Sequence, residues 1–449
     1  MSIKQRYLIL SYFYAPVTSA RAFRWASLAE YWAGQGHQVD VVCAWEPGLE
    51  RQETRNGVNV YRVNADLQER IRSFYKRGNS APSKIQSQQS DSRGGGRQIR
   101  SFLRWFFFKV YLPLQWPDGG FLWRSPALRQ ARDLVQKMPY DALISVSPHF
   151  TAHLVGLDLC RDLPHLHWLV DNGDPFWFRD IEPPNNQQLY RRLNRRAERN
   201  VFQRAKVITV TTRQTQAIYA THFPESASKL SVIPPLLSPL NREDSSEPFF
   251  PQDDKLRLVF AGQMYGAVRR PEFLLRLFSA LLKTPLGARL ELHFIGNVSL
   301  SSDAFQTYPE LLDEKIFLHG SVSRSRAMQA MREAAVLVNV GNKTSYQLPS
   351  KVVEYASLGK PILNLAHILH DSSSEFFSAY PAALCLTDED ESGVPTEAHL
   401  HAVYQFISSP PPPIDAAWLR NWLQPYQLES ISAAYQQLLF QVFSSNTTP

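Results

Sequence analysis

Two stretches of this 449-residue chain set glycine, serine, cations and a carboxylate at spacings that suit an anionic, hydroxylated ligand. The first is Gln347-Leu-Pro-Ser-Lys-Val-Val-Glu-Tyr-Ala-Ser-Leu-Gly-Lys-Pro-Ile362. Pro349 and Ser350 stand where a helix would begin, and a helix N-terminus offers free N–H groups and a positive dipole end to a phosphate. Lys351 adds a cation in the first turn. Glu354, about one turn further on, has the acceptors to take both vicinal hydroxyls of a ribose, as Rossmann carboxylates do. The same residues also fit a capped surface helix with Glu354 in solvent. The second stretch is Phe260-Ala-Gly-Gln-Met-Tyr-Gly-Ala-Val-Arg-Arg-Pro271, a predicted strand running into a glycine loop. Gly262 and Gly266 admit close backbone approach, and Arg269 and Arg270 carry charge that would neutralise a pyrophosphate. Such a loop is equally at home on an ordinary surface. Gly296 and Gly320 end two further predicted strands at the same sheet edge, where open α/β sheets bind ligands.

Positioning these residues takes alternating strands and helices. The chain opens with an apolar strand over 7–13, a loop containing Pro16, and a helix carrying Ala22, Ala26, Ala29 and Ala33 on one face. Gly34, Gly36 and His37 end that helix before an apolar run over 39–43, which makes a βαβ unit of a parallel sheet. Further strands are predicted over 142–146, 165–170 and 207–211, with a helix over 189–204. Pro234, Pro235, Pro239, Pro248 and Pro251 mark a linker over 234–254. Alternation then restarts, with strands over 256–261, 290–295, 316–319, 336–340 and 361–365 and helices over 271–283, 324–334 and 351–358. An amphipathic helix over 428–443 closes the chain. The fold class is therefore α/β, with an N-terminal Rossmann-like domain over 1–240, a second over 241–427, and a C-terminal helix and tail over 428–449. Residues 78–97, rich in Ser, Gln and Gly, read as a flexible insertion.

Composition excludes a small domain: 44% hydrophobic residues over this length bury sizeable cores. Cys43, Cys160 and Cys385 lack CxxC spacing, so neither a disulfide framework nor a zinc cluster is expected, and the compartment reads as reducing and cytoplasmic. The first apolar run reads as a strand rather than a secretory leader. The net charge of +7 comes from one window, 69–109, where ten bases face two acids, Glu69 and Asp91. Interleaved with Phe102, Trp105, Phe106, Phe107 and Phe108, these bases suit an anionic membrane surface at which the chain would sit peripherally. A surface loop followed by a core helix fits the same residues. The run cannot span a bilayer, because Arg104 and Lys109 interrupt it.

The 349–362 block, the 262–271 loop and an opening with Tyr14-Ala-Pro16, Arg24-Trp25, Leu28-Ala29 and Gly36-His37 together resemble glycosyltransferase family 4, in order and spacing, over nearly the whole chain. The likeness is strongest to bacterial enzymes that build cell-surface polysaccharides. The resemblance implies a GT-B fold, with two Rossmann-like domains facing each other across a cleft and the C-terminal helix packing back on the first. It also implies sugar transfer from a nucleotide diphosphate sugar with retention of configuration, as in a hexosyltransferase, to a saccharide or lipid-linked acceptor. No cofactor and no metal are implied. Carried over by position, Glu354 holds the ribose, Arg269 or Arg270 the diphosphate, and Lys351 with the Ser350 amide the distal phosphate, with Gly262 and Gly296 at the donor. The loop from Pro16 to Arg24, with Ser19 and Ala20 where relatives have paired glycines, closes over the phosphates. Asp174 and Trp177, in Asp171-Asn-Gly-Asp-Pro-Phe-Trp177, would line the acceptor side, though a bend packed by Trp177 fits equally. His149 stands near the family's histidine at the end of the fourth strand.

The chain departs from the family at Tyr346, where relatives carry the first of two carboxylates, and at Gln263, where an arginine is usual. These departures keep open a catalytically inactive scaffold and, further off, a nucleotide-sugar epimerase. Asp388-Glu-Asp390 has the DxD spacing of metal-dependent transferases, yet lies in an acidic loop that reads as solvated. The helix with Arg191, Arg192, Arg195, Arg196 and Arg199 has no nucleic-acid module beside it and reads as a basic face toward lipid or solvent. Nucleic acid is not expected as a partner.

Overall fold

The computed structural model describes residues 4–17, 19–64, 114–237, 247–264, 266–388 and 392–444, with side chains to 440. The insertion at 78–97, the basic stretch at 69–109, part of the 234–254 linker and Glu389-Asp390 lie outside the described residues.

The first sheet comprises β1 (Arg6–Ser11), β2 (Gln38–Ala44), β3 (Gln52–Arg55), β4 (Val58–Val63), β5 (Ala142–Val146), β6 (His167–Asp171), β7 (Val207–Val210) and β8 (Leu230–Val232), in the order β3-β4-β2-β1-β5-β6-β7-β8. Near-continuous apolar runs such as Leu8-Ile9-Leu10 suit strands buried on both faces, and β1 lies parallel to both neighbours, Tyr7 opposite Val39 and Ala142. Its helices are α1 (Ala20–Gly34), α2 (Arg124–Lys137), α3 (Thr151–Asp162), α4 (Gln187–Arg204) and α5 (Arg213–His222). Ser19 caps α1 by accepting from the Ala22 N–H, and the helix buries Trp25, Leu28, Ala29 and Trp32, one stripe at helical spacing. The antiparallel hairpin β3–β4 departs from the strand–helix alternation. It turns at Asn56-Gly57, both at positive φ, the dipeptide that a two-residue hairpin turn favours.

The second sheet comprises β9 (Leu256–Ala261), β10 (Leu290–Ile295), β11 (Ile316–Leu318), β12 (Val336–Val340), β13 (Ile362–Ala366) and β14 (Ala383–Thr387), ordered β11-β10-β9-β12-β13-β14, with every pair parallel. Its helices are α6 (Glu272–Leu281), α7 (Arg324–Glu333), α8 (Lys351–Ser357), α9 (Ser372–Phe377), α10 (Glu397–Ser408), α11 (Ala416–Leu423) and α12 (Leu428–Ser444). The chain forms two compact units, one of Met1–Val210, Tyr219–Ser231 and Tyr435–Pro449, the other of Thr211–Ile218 and Val232–Ala434. The change at 231/232 precedes the 240/241 division expected from the prolines. Phe249 and Phe250 of that linker are anchored in the second unit, their N–H groups bonded to Glu333. The later half of α12, from Tyr435, belongs to the first unit: the Tyr435 ring packs at a tilt against Trp25 and its hydroxyl donates to Asp171 at 2.7 Å.

Candidate functional site

In the second unit, strand order reverses between β9 and β12, the point at which open α/β sheets take ligands. Backbone bonds stitch the carboxyl ends of the strands: Gly262 N–H to Ile295 at 2.8 Å, Gly296 N–H to Gly320 at 2.8 Å and Gly341 N–H to Leu365 at 2.7 Å. Gly296 has φ +129°, and a Cβ there would lie 1.8 Å from the Gly262 oxygen, so no other residue fits without moving that loop.

The two arginines of the 262–271 loop diverge. Arg269 is buried, its Nη2 donating to Asn342 Oδ1 at 2.9 Å and its Nη1 to the Gln263 carbonyl at 3.4 Å, so it ties the loops after β9 and β12 together. Arg270 turns outward and pairs with Glu272 and, at 3.6 Å, with Asp303. Lys343 follows β12, its N–H bonded to the Val268 carbonyl at 2.8 Å. His367, just past β13, is bonded to the Arg270 backbone, and burial together with the nearby Lys343 charge pushes its pKa down to about 4. Its neutral ring therefore joins this cationic edge without adding charge.

Ser350 heads α8 without its side chain capping it, and Tyr355 one turn later locks the helix to β9, accepting from the Ala261 N–H and donating to the Ala261 oxygen. Glu354 is buried rather than solvated: Arg324 donates to its Oε1 at 3.2 Å, and Lys351 pairs with its Oε2. Lys351 and Glu354, assigned by sequence to phosphate and ribose, thus meet each other. Tyr346 is held through its backbone, its carbonyl accepting from the hydroxyls of Thr212 at 3.0 Å and Thr215 at 2.8 Å. The second carboxylate at this edge is Asp371, which caps α9 through the Ser374 N–H at 2.8 Å, and burial pushes its carboxyl up.

In the first unit a cleft of about 320 Å³ opens beyond the ends of β5 and β6, lined by Asp118, His149, Asp174, Phe176, Arg179 and Glu182 among others. His149 packs edge-on against Tyr12, and its Nδ1 lies 3.8 Å from Asp118 Oδ1. Asp118 is fixed by the Gly120 N–H at 2.8 Å, the Thr151 N–H at 2.9 Å and the Thr151 hydroxyl at 2.7 Å. Across the cleft Arg179 stands 3.5 Å from Asp174 and 4.0 Å from Glu182.

The wall at Asp174–Trp177 hangs on a buried carboxylate. Glu198, on α4, accepts from the N–H groups of Phe176 at 3.1 Å and Trp177 at 3.2 Å and from the Tyr219 hydroxyl. Tyr219 in turn accepts from Asn172, which accepts from Ser147 at 3.1 Å on the cleft. Burial outweighs these bonds and raises the Glu198 pKa to about 7. The same bonds draw Trp177 inward: its ring packs on His222 and Phe223 under Arg195. Of the expected acceptor-side pair, Asp174 lines the cleft and Trp177 is the packed bend.

Arg24 also departs from expectation. It faces inward from α1, buried, donating to the Tyr435 hydroxyl at 2.9 Å, rather than lying in a phosphate loop. Ser19 spends its hydroxyl on the α1 cap and Ala20 is the first helical residue. Arg21 reaches the carboxyl end of β6 instead, 2.9 Å from Asp171. Burial pushes the Asp171 carboxyl up, but Arg21, Arg24 and bonds from Tyr435 and Trp25 prevail and hold it below the usual carboxylate range.

Sequence reasoning missed Asp118, Glu198, Lys343, His367 and Asp371. Two had signals: Asp118 opens an Asp-Gly-Gly turn, and Glu198 shares the apolar stripe of Asn194, Ala197 and Val201. Among the described residues no group of three or more His, Cys, Asp or Glu could hold a metal ion, and no helix is long and apolar enough to cross a membrane.

Residues 22–235 match the glycosyl transferase 4-like domain. No curated protein matches the chain in sequence. Solved structures do match in fold. HepE from Anabaena, in complex with UDP-glucose, is 12% identical, with 98% of this chain and all of that one covered and a TM-score of 0.55. WaaG, a glycosyltransferase involved in lipopolysaccharide biosynthesis, is 13% identical over 99% of this chain and all of that one, TM-score 0.52. The catalytic domain of starch synthase IV from Arabidopsis thaliana, bound to ADP and acarbose, is 9% identical over 98% of this chain and all of that one, TM-score 0.60. The two Rossmann-like domains thus share the GT-B fold of these structures, and residues 22–235 are similar to a glycosyl transferase 4-like domain.

Proposed function

We propose that this protein transfers a glycosyl unit from a nucleoside diphosphate sugar to an acceptor hydroxyl, with retention of configuration and without a metal, in the synthesis of a polysaccharide or glycoconjugate. The observation that carries the reading is the cationic, glycine-stitched edge at the switch point of the second sheet, where Arg269, Lys343 and Lys351 gather. HepE holds UDP-glucose and starch synthase IV holds ADP, which supports a nucleotide donor here. In this reading Glu354 takes the ribose hydroxyls through its remaining acceptors. Arg269 and Lys351, with the Ser350 amide, oppose the charge that grows on the leaving diphosphate as the glycosidic bond breaks. The acceptor hydroxyl attacks from the leaving-group side and a donor phosphate oxygen takes its proton. The acidic cleft with His149, Asp118 and Asp174 reads as the acceptor side, since carboxylates suit hydroxyl-rich ligands. No cofactor is required, and the protein works at the cytoplasmic face of an anionic membrane, where a lipid-linked acceptor would reside.

Tyr346 in place of a carboxylate favours a second reading, a binding or scaffold protein without turnover. A thermal-shift series with UDP, GDP, ADP and their sugars decides, because a ligand that binds only the folded state raises its apparent stability. The expected result is that one diphosphate stabilises the wild type and that Glu354→Ala abolishes the shift. Stabilisation by none of them would leave the scaffold.

A further inference from the structure

Helix α4 presents an unusual surface. Its buried stripe is Asn194, Ala197, Glu198, Val201 and Phe202. On the opposite side Leu189, Arg192, Leu193 and Arg196 follow one another at helical spacing, with Leu189 56% and Leu193 42% exposed. Leu114, 57% exposed, lies beside the flank of the helix, where the Tyr190 hydroxyl donates to its carbonyl at 3.0 Å. The chain at 114–117 is pinned there twice more, by Trp116 to Asn194 at 3.0 Å and Asn185 to the Pro117 carbonyl at 2.6 Å. Two large exposed leucines thus share one face of α4.

The charge around them has one sign. Arg191, Arg192 and Arg196 are exposed and make no ion pair or hydrogen bond among the described residues, while Arg199 is neutralised by Glu225. The sole acid of α4, Glu198, is turned into the interior. The nearest exposed acids on the preceding loop are Asp180 and Glu182, the latter engaged with Arg179. Leucines flanked by unpaired arginines are what an anionic bilayer interface accepts: the guanidiniums meet phosphate headgroups while the leucine side chains leave water for the acyl boundary. A nucleic acid would answer the arginines but leave the leucines in water. Arg192 and Arg196 also have apolar stems long enough to lie along the leucines with their heads at headgroup level.

We propose that the α4 face of Leu189, Arg192, Leu193 and Arg196 is a docking surface for an anionic lipid membrane. This rests on the membrane location proposed above, and identifies residues for it that lie apart from the 69–109 stretch. The surface does not need the donor site, so the two are separable by experiment.

The test is co-sedimentation of the full chain with vesicles of phosphatidylcholine alone or mixed with phosphatidylglycerol, with UDP, GDP and ADP thermal shifts on the same preparations. Arg192→Glu/Arg196→Glu and Leu189→Ser/Leu193→Ser alter exposed side chains, so unchanged melting temperatures certify their folds. The expected result is binding to the mixed vesicles only, weakened on the order of tenfold or more by either double variant, with nucleotide shifts unaltered. Equal binding by wild type and both variants would overturn the α4 surface while leaving membrane location to other residues. Loss in the arginine pair with none in the leucine pair would mean plain polyanion attraction and would overturn the lipid assignment, as would tighter retention by RNA than by vesicles at the same salt. Failure of the wild type to bind any vesicle overturns the membrane location too, while a surviving nucleotide shift would show that the donor reading stands.

Discussion

The two sheets end in opposite chemistry. Beyond the strands of the second, cations gather around close-approach glycines: Arg269 tied to Asn342, Lys343 after β12, and Lys351 with Arg324 about the carboxylate Glu354. Beyond β5 and β6 of the first, carboxylates gather around a histidine: Asp118, Asp174 and Glu182 with His149. The difference extends to what the charges hold up. In the first unit Asp171 and Glu198 are fully enclosed and carry hydrogen bonds that fix α1, α12 and the cleft wall. In the second, glycine backbone bonds fix the edge. Charge removal should therefore damage folding in the first unit and ligand binding in the second.

Asp171→Ala should strain that contrast most. It strips Arg21, Trp25, Thr209 and Tyr435 of their acceptor and leaves the half-buried Arg21 and the buried Arg24 uncompensated. Breaking such a pair costs about 3–5 kcal/mol, read as a shifted urea midpoint. A change within about 0.5 kcal/mol, typical of surface substitutions, would contradict the architectural role.

Gly296→Ala comes next, in the second unit. A Cβ at φ +129° against the Gly262 oxygen must displace the 262–271 loop, at about 1–3 kcal/mol of backbone strain. Nucleotide stabilisation should disappear with it. An alanine variant that still responds to nucleotide would show that this edge does not depend on the close glycine approach.

Glu198 gives the contrast a pH axis. With its pKa raised from 4.5 to about 7, the native carboxyl binds its proton more tightly than the unfolded one. Its contribution to stability is complete below about 4.5, and fades as pH rises through about 7. The melting temperature should accordingly fall between pH 5 and about 8. Glu198→Gln presents an amide N–H to one of the two backbone donors, costs about 1–3 kcal/mol, and should flatten that part of the profile. An unchanged slope in the variant would place the titration elsewhere.

Legibility in the sequence followed the same divide. The second unit's candidate donor residues lie in two contiguous stretches, so Gly262, Arg269, Lys351 and Glu354 stand out as candidates by local spacing, and the strand alternation in both halves is plain from apolar runs. What local spacing does not carry is direction. Arg269 and Arg270 are adjacent and chemically equal, and only the loop's path sends one to Asn342 and the other to Glu272. Arg24 looked like a loop cation until Tyr435, far off in sequence, filled the space beside it. The first unit's cleft is assembled from segments around 118, 149, 174 and 182, and no short motif could announce it. Glu198 was hidden by the arginines around it, although its place on the apolar stripe of α4 was visible.

The adjacent arginines provide the most direct test of the donor site. Calorimetric titration of UDP, GDP and ADP into the wild type, Arg269→Ala and Arg270→Ala should find one diphosphate that binds. Arg269→Ala should weaken it by roughly 10–100-fold, the worth of a charge-assisted hydrogen bond, while Arg270→Ala, an exposed pair, should change it by about fivefold at most. Equal losses in both variants, or no binding by any diphosphate, would contradict the assignment of the second sheet's edge as the donor site.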